Sequence, residues 1–274
     1  MPNVIVVIIL GIIEGITEFL PVSSTGHLLI AEHWMVAKSW IPHLESDLFN
    51  VVIQGGAVLA VIPLFKDRFD QFIHRWREPA TRDYLAKIIV AFGITGAGGL
   101  VLEKKHWKLP EELAPVAWAV LIGGILFLLV EFLLRGKNMR EEVTWTVAVA
   151  VGFGQLVAAV FPGASRSGTT ILIALLLGLS RPDATEFSFL VGIPTMLAAS
   201  GLKIFKALHH PVEGAPHEDW SMLILCTVVS AVVSFIAVKW LLRYVRTHTF
   251  NVFGWYRIAL AAVLFAYLYQ HHGA

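Results

Sequence analysis

Cysteine is all but absent. Cys226 is the only one and lies in an apolar run, so no disulfide closes within the chain and no cysteine-based metal site forms. Charge is scarce as well: 15% of the 274 residues are Asp, Glu, Lys or Arg, and the net charge is +1. No dense basic cluster is present, which argues against nucleic acid as a partner. The chain is 57% hydrophobic with a mean hydropathy of +0.71. A soluble domain of this length needs far more charge on its surface. The N-terminal apolar run lacks a basic start and leads directly into Glu14 and Glu18, so it reads as part of the fold and not as a cleaved leader. The fold class implied is an all-α, polytopic membrane protein.

Six segments, 49–65, 83–102, 115–134, 185–205, 220–240 and 251–270, approach the ~20 apolar residues of a spanning helix. Two further stretches do not fit: GIIEGITEFLPVSSTGH (11–27) and GFGQLVAAVFPGASRSG (152–168). They echo each other at an offset of 141, with Gly11 on Gly152, Glu14 on Gln155, Pro21 on Pro162 and Ser24 on Ser165. Each proline removes a backbone donor and clashes with the turn before it, so each stretch breaks there. Residues 4–20 make a rod of about 25 Å and residues 25–37 one of about 20 Å, too long together and too short apart. A re-entrant helix hairpin resolves this, with its irregular backbone buried or lining a wet cavity. The order becomes hairpin, three spans, hairpin, three spans. A second echo, FNVVIQGGAVLA (49–60) on FSFLVGIPTMLA (187–198), supports two repeats, about 1–137 and 138–274, within one integral membrane domain. Three spans per unit is odd, so the repeats are expected in inverted topology, with six full spans in total and a site between the halves.

Basic residues orient this arrangement. With the 66–87 loop inside, 13 Lys and Arg fall on the cytoplasmic side. The 6 on the other side are Lys38, Lys104, Lys105, Lys108, Lys203 and Lys206. This bias puts both termini on the outer side of the membrane. Arg166 and Arg257 remain within apolar segments.

Glu14 and Glu18 are one helical turn apart on an otherwise apolar helix, where a carboxylate is expensive and points to function or a buried partner. The loop after Pro21 supplies Ser23, Ser24 and Thr25, then Gly26 and His27, at the anion-attracting start of a half-helix. The second loop, PGASRSGTT, supplies Gly163, Ser165, Arg166, Ser167, Gly168 and Thr170; the guanidinium fork matches phosphate oxygens. Gln54 is a candidate for the cavity wall. Plain structural readings compete: serine caps, and an internal salt bridge from Arg166 to Glu14 or Glu18. The salt bridge is compatible with anion binding if substrate displaces it. The set suits phosphoryl transfer, in which positioning and charge stabilisation supply most of the acceleration. Two carboxylates beside a phosphate require either a divalent cation, Mg²⁺ or Ca²⁺ on Glu14 and Glu18, or a carboxylate that keeps its proton. In the preferred scheme Ser24 attacks, Glu18 accepts its proton directly or through His27, and Arg166 clamps the phosphates, with Ser23, Thr25, Gly163, Ser165, Ser167, Gly168, Thr170 and Gln54 around the substrate. His27 as nucleophile and direct attack by water stay open. So does another class of function, a transporter or flippase of a phosphorylated lipid using the same midplane site.

EGITEFLPVSSTGH (14–27), FNVVIQGG (49–56), PGASRSGTT (162–170) and EFSFL (186–190) together resemble the undecaprenyl-diphosphate phosphatase, or bacitracin-resistance protein, family over essentially the whole chain. The resemblance implies an enzyme that removes the terminal phosphate of a C55 polyprenyl diphosphate, recycling the lipid carrier of cell-wall polymers. It further implies divalent-cation dependence, a site opening to the outer side and bacitracin resistance. It places the family's catalytic positions on Glu14, Glu18, His27, Ser165 and Arg166, with Ser24, Thr25 and Thr170 close by. The expected partners are the polyprenyl diphosphate and the bilayer; a homodimer is left open.

Overall fold

The computed structural model describes residues 2–37, 47–105, 112–209 and 220–272. Lys38 and Lys108 of the charge analysis lie outside the described residues. Within them every regular element is helical and no strand occurs. In chain order the helices are α1 (Pro2–Thr17), α2 (Ser24–Ala37), α3 (Asp47–Val61), α4 (Lys66–His74), α5 (Pro79–Lys104), α6 (Leu113–Leu133), α7 (Trp145–Val160), α8 (Arg166–Leu176), α9 (Arg181–His209), α10 (Trp220–Tyr244) and α11 (Asn251–His272).

Five of them are long and apolar enough to cross a membrane: α5, α6, α9 over Arg181–Phe205, α10, and α11 over Asn251–Gln270. The segment expected as the first span, 49–65, differs. Its α-helix stops at Val61 after 15 residues and passes into a 3₁₀ turn, Ile62–Phe65, that carries Pro63 near its start. Proline's missing amide and its clash with the preceding turn end the helix there. The polar, amphipathic α4 follows at once. Near Pro21 and Pro162 the expected breaks are present: α1 ends at Thr17 and α2 starts at Ser24, and α7 ends at Val160 and α8 starts at Arg166.

Small residues set the tightest helix contacts. A Cβ on Gly11 would lie 2.9 Å from the Cys226 carbonyl oxygen, and one on Gly15 2.7 Å from that of Ser230, so α1 rests almost directly on the backbone of α10. Gly152 does the same for α7 on α5, with the Ala91 carbonyl at 2.9 Å, and Gly124 for α6 on α11, with the Gly254 carbonyl at 2.9 Å. The pairings have a reciprocal form: α1 packs on α10 and α7 on α5; α3 packs on α10 and α9 on α5; α6 packs on α11 and α3 on α9. Phe19, at the end of α1, is fully buried and meets the Phe189 ring edge-on at 5.2 Å, which ties the first break to α9. Large apolar side chains such as Phe132 (72% exposed) and Ile236 (62%) point outward. Outward apolar surface on this scale requires lipid to cover it.

Polar staples sit at the helix ends. Glu131 receives Arg181 through two bonds, Nε to Oε1 at 2.8 Å and Nη2 to Oε2 at 2.5 Å, and accepts the Phe250 amide at 2.8 Å, so α6, the start of α9 and the entry to α11 are joined. Arg68 meets Glu186 at 2.5 Å, joining α4 to α9.

The glycine contacts generate a stability prediction. Gly15→Ala places its methyl against the Ser230 carbonyl and should lower the thermal midpoint in detergent, consistent with about 1–3 kcal/mol of overpacking. Gly93→Ala, where an added Cβ meets nothing within 4 Å, should leave the midpoint unchanged or slightly raised. Equal effects of the two would contradict this packing.

Candidate active site

The two loops between half-helices are built by the same local device. Ser23 (φ 77°) and Ser165 (φ 68°) are the only non-glycine residues with positive φ among the described residues. Each immediately precedes a helix, and each serine Oγ accepts an amide three residues on: Gly26 N at 3.3 Å and Gly168 N at 3.2 Å. A serine in this backbone region costs about 1–3 kcal/mol and persists only where its surroundings hold it. The structural equivalence is therefore Ser23 with Ser165, and the sequence pairing of Ser24 with Ser165 is corrected by one residue. The second loop has two residues, Gly163 and Ala164, where the first has only Val22. Gly163 has φ 91°, and a Cβ there would lie 2.7 Å from the Val116 carbonyl, so both backbone and space demand glycine. The correction makes Ser24 and Arg166 equivalent, each the first residue of its half-helix.

These two first residues converge on one carboxylate. Ser24 Oγ donates to Glu18 Oε2 at 2.9 Å, and Arg166 Nη2 donates to Glu18 Oε1 at 3.2 Å. The Glu18 and Arg166 side chains are 7% and 16% exposed, so their pairing is little screened by water. The salt-bridge partner of Arg166 is thus Glu18. The Phe19 ring lies 5.8 Å from the guanidinium carbon. Arg166 Nη1 is buried without a hydrogen-bond partner and faces Gly192 of α9, where a Cβ would sit 1.9 Å from it. This leaves the arginine a buried nitrogen, with two N–H donors, beyond the one engaged by Glu18.

The other sequence-derived residues divide by position. Ser167 Oγ donates to the Leu20 carbonyl at 3.3 Å, a direct link between the two loops, and lies 3.2 Å from Ser165 Oγ. Thr170 donates to the Arg166 carbonyl at 2.8 Å and is buried within its own half-helix. Gly168 is buried and Thr25 is exposed. Glu14 is fully buried one turn before Glu18, on the side of α1 that meets α10, where its charge is felt by the Cys226 thiol. Gln54 is half-buried on α3, and among the described residues no hydrogen bond joins it to either loop. His27 does not bond Ser24. Its Nδ1 lies 2.7 Å from the Ser23 carbonyl and its Nε2 2.6 Å from the Tyr256 hydroxyl.

Sequence reasoning left Arg257 without a partner. It is fully buried and serves both loops: Nη1 donates to the Pro21 carbonyl at 3.4 Å, and Nη2 to those of Gly163 at 3.0 Å and Ala164 at 3.2 Å. Nε and Nη2 also reach the carbonyls of Val120 and Ala119 on α6, both at 3.2 Å. Carbonyls freed by the two breaks thus find their donor in one planar cation. An arginine inside an apolar span was the only signal for this, and Tyr256 beside it carried none.

Among the described residues no group of three or more His, Cys, Asp or Glu stands ready to hold a metal ion. Two carboxylates one turn apart are still the protein contribution that Mg²⁺ commonly uses when phosphate oxygens and water complete its shell. Glu14 and Glu18 are the oxygen donors such a cation would use, and here both Glu18 oxygens are taken by Ser24 and Arg166.

The family model described as Bacitracin resistance protein BacA matches residues 7–263. The chain belongs to this family. An undecaprenyl-diphosphatase of Rhizobium etli (strain CIAT 652) is 52% identical over 257 residues, covering 93% of this chain and 94% of the relative. Undecaprenyl-diphosphatases of Xylella fastidiosa (strain 9a5c) and Xanthomonas oryzae pv. oryzae (strain PXO99A) are 49% and 47% identical, covering 95% and 98% of this chain and 97% and 98% of their own lengths.

Arg257 supplies the test of how this family member holds its loops. Arg257→Met removes the donor from five carbonyls, at about 1–3 kcal/mol for each group left buried and unsatisfied, and should lower the thermal midpoint sharply. Glu186→Gln weakens only the half-exposed pair with Arg68, worth about 0–1 kcal/mol, and should shift it little. Comparable shifts would show that Arg257 does not hold the breaks.

Proposed function

We propose that this chain hydrolyses undecaprenyl diphosphate to undecaprenyl phosphate and inorganic phosphate, recycling the lipid carrier of peptidoglycan and other cell-wall polymers and conferring bacitracin resistance. The names of the relatives support the substrate, and the approach of Ser24 and Arg166 to the two oxygens of Glu18 supports the chemistry. The hydrolase needs a base, whereas a site that only binds a lipid phosphate does not. The transporter reading gains nothing from relatives that are named as phosphatases.

In the proposed cycle the terminal phosphate meets Arg166 and the free amides at the starts of α2 and α8, where the helix ends favour negative charge. It takes the guanidinium from Glu18, which leaves that carboxylate free to act on Ser24. The Ser24 oxygen attacks the terminal phosphorus, its proton passes to Glu18, and the bond to the bridging oxygen breaks as undecaprenyl phosphate departs. Water then attacks the phosphoserine, the P–Oγ bond breaks, and Glu18 returns the proton to Ser24. Charge stabilisation by fixed donors supplies most of the acceleration. His27 as nucleophile is disfavoured by its two existing bonds, to Ser23 and Tyr256. A divalent cation, Mg²⁺ or Ca²⁺, would be held by Glu14 and Glu18 and would offset the charge of the diphosphate. Ser23, Ser165, Gly163 and Gly168 shape the two loops; Thr25 and Gln54 remain candidates for substrate contact. Ser167 and Thr170 contribute by holding Arg166 and Leu20 in place.

The same reading takes α1–α2 and α7–α8 as re-entrant hairpins of an inverted repeat, with α3 and its 3₁₀ turn completing six spans. The reciprocal packing of α1 on α10 and α7 on α5 supports it. The protein then lies in the bacterial inner membrane with both termini and the site opening on the periplasmic side. The polyprenyl diphosphate and the bilayer are its partners, and self-association plays no part in the scheme.

Rapid quench of the detergent-solubilised protein with substrate labelled in the terminal phosphate should trap phosphoserine at position 24. Ser24→Ala should lower turnover at least about a hundredfold. Near-normal turnover would exclude Ser24 as nucleophile. Chelation should abolish most phosphate release, with Mg²⁺ or Ca²⁺ restoring it; full activity in chelator would remove the cation from the scheme.

A further inference from the structure

The histidine of the first loop is held from an unexpected quarter. His27 lies on the first turns of α2, and Tyr256 lies on α11, 229 residues away in sequence. The two ring planes are nearly parallel, 8° apart, with their centroids 5.6 Å from each other. The Ser23 carbonyl can only accept, so His27 Nδ1 carries the hydrogen on that side. Nε2 then presents its lone pair, and the Tyr256 hydroxyl donates to it at 2.6 Å. Both ring nitrogens are thereby assigned. In its neutral form the imidazole is a base of one tautomer, and it makes no bond to Ser24, whose hydroxyl bonds Glu18.

We infer that Tyr256 is a positioning residue of the hydrolase, acting through His27 by holding its Nε2 while the Ser23 carbonyl fixes the tautomer. Gly26, next to His27, lies against Val120 of α6 and Leu260 of α11, and Leu260 is one turn from Tyr256 on the same helix face. The groups that act on the imidazole directly are Tyr256 and Arg257 on α11; α6 presents the apolar Val120, and α1, which also packs on α2, leads to Glu18 at Ser24. Arg257, fully committed to loop carbonyls, holds the backbone on which His27 sits, and Tyr256 holds the ring. Tyr256 itself is 46% exposed, so a water can donate to Nε2 once the hydroxyl yields. His27 is then ready to receive a proton from the water that clears the phosphoserine, while Glu18 serves Ser24. Adjacent residues of α11 thus perform two different tasks at one hairpin.

The inference rests on the phosphatase reading, so its test carries a readout independent of turnover. Tyr256→Phe keeps the ring and removes only the hydroxyl. In protein labelled with ¹⁵N-histidine, and assigned by difference against His27→Gln, the wild type should show the Nδ1–H tautomer for His27. Tyr256→Phe should keep that tautomer, which Ser23 sets, and move the Nε2 resonance to that of an unbonded pyridine-type nitrogen. In the phosphate-release assay the same substitution should lower kcat about tenfold with KM within about twofold, and should move the acid limb of the kcat–pH curve. An unchanged His27 spectrum overturns the inference whatever the activity. So does a kcat–pH curve that is merely scaled, because that marks a packing role. Absence of phosphate release by the wild type would count against the phosphatase reading alone, leaving the spectrum to decide on Tyr256.

Discussion

The contact between Arg166 and Glu18 is the interaction on which the site depends. A guanidinium this deep in apolar surroundings requires an anion, because burying a lone charge is far more costly than burying a paired one. The first hairpin supplies that anion and the second supplies the cation, so neither loop is electrostatically complete alone. One oxygen of Glu18 faces Arg166 and the other faces Ser24. A single carboxylate thus neutralises the anion-binding group while standing at the hydroxyl proposed as nucleophile. In the proposed cycle, arrival of the phosphate and release of the base are one event.

Holding that contact requires irregular backbone inside a helical protein. The helical breaks free carbonyls that have no intrahelical partner, and two serines adopt a backbone conformation that favours glycine. Compensation comes from named groups. Arg257 takes carbonyls from both loops, Ser167 ties one loop to the other, and the serine side chains cap the helices that follow. Gly11, Gly15, Gly152 and Gly163 let neighbouring backbones approach closely enough to fix the geometry. Stability and catalysis meet in the same few residues, and backbone strain concentrates where the proposed reaction takes place.

Much of this was legible from residues alone, because proline and hydropathy act locally. Pro21 and Pro162 located the breaks, and the five long apolar helices were visible as runs. The segment 49–65 was less legible, since Pro63 sits among isoleucine, leucine and phenylalanine and apolar character continues past the point where the helix ends. Aligning the two prolines misplaced the serines by one, because the loops differ in length and the positive φ of Ser23 and Ser165 leaves no compositional trace. Glu18, Ser24 and Arg166 were nominated by their chemistry. Arg257's partners are main-chain carbonyls, which no side-chain pattern announces, and Tyr256 reaches His27 only through the tertiary fold.

The most direct test of the central claim is an experimentally determined structure of the protein with a non-hydrolysable methylene-bridged polyprenyl diphosphate. The account predicts the terminal phosphonate on Arg166 and the amides at the starts of α2 and α8, with the Glu18–Arg166 contact opened and Glu18 still bonded to Ser24. A bound diphosphonate that leaves Glu18 and Arg166 paired, or that lies away from both loops, would contradict it.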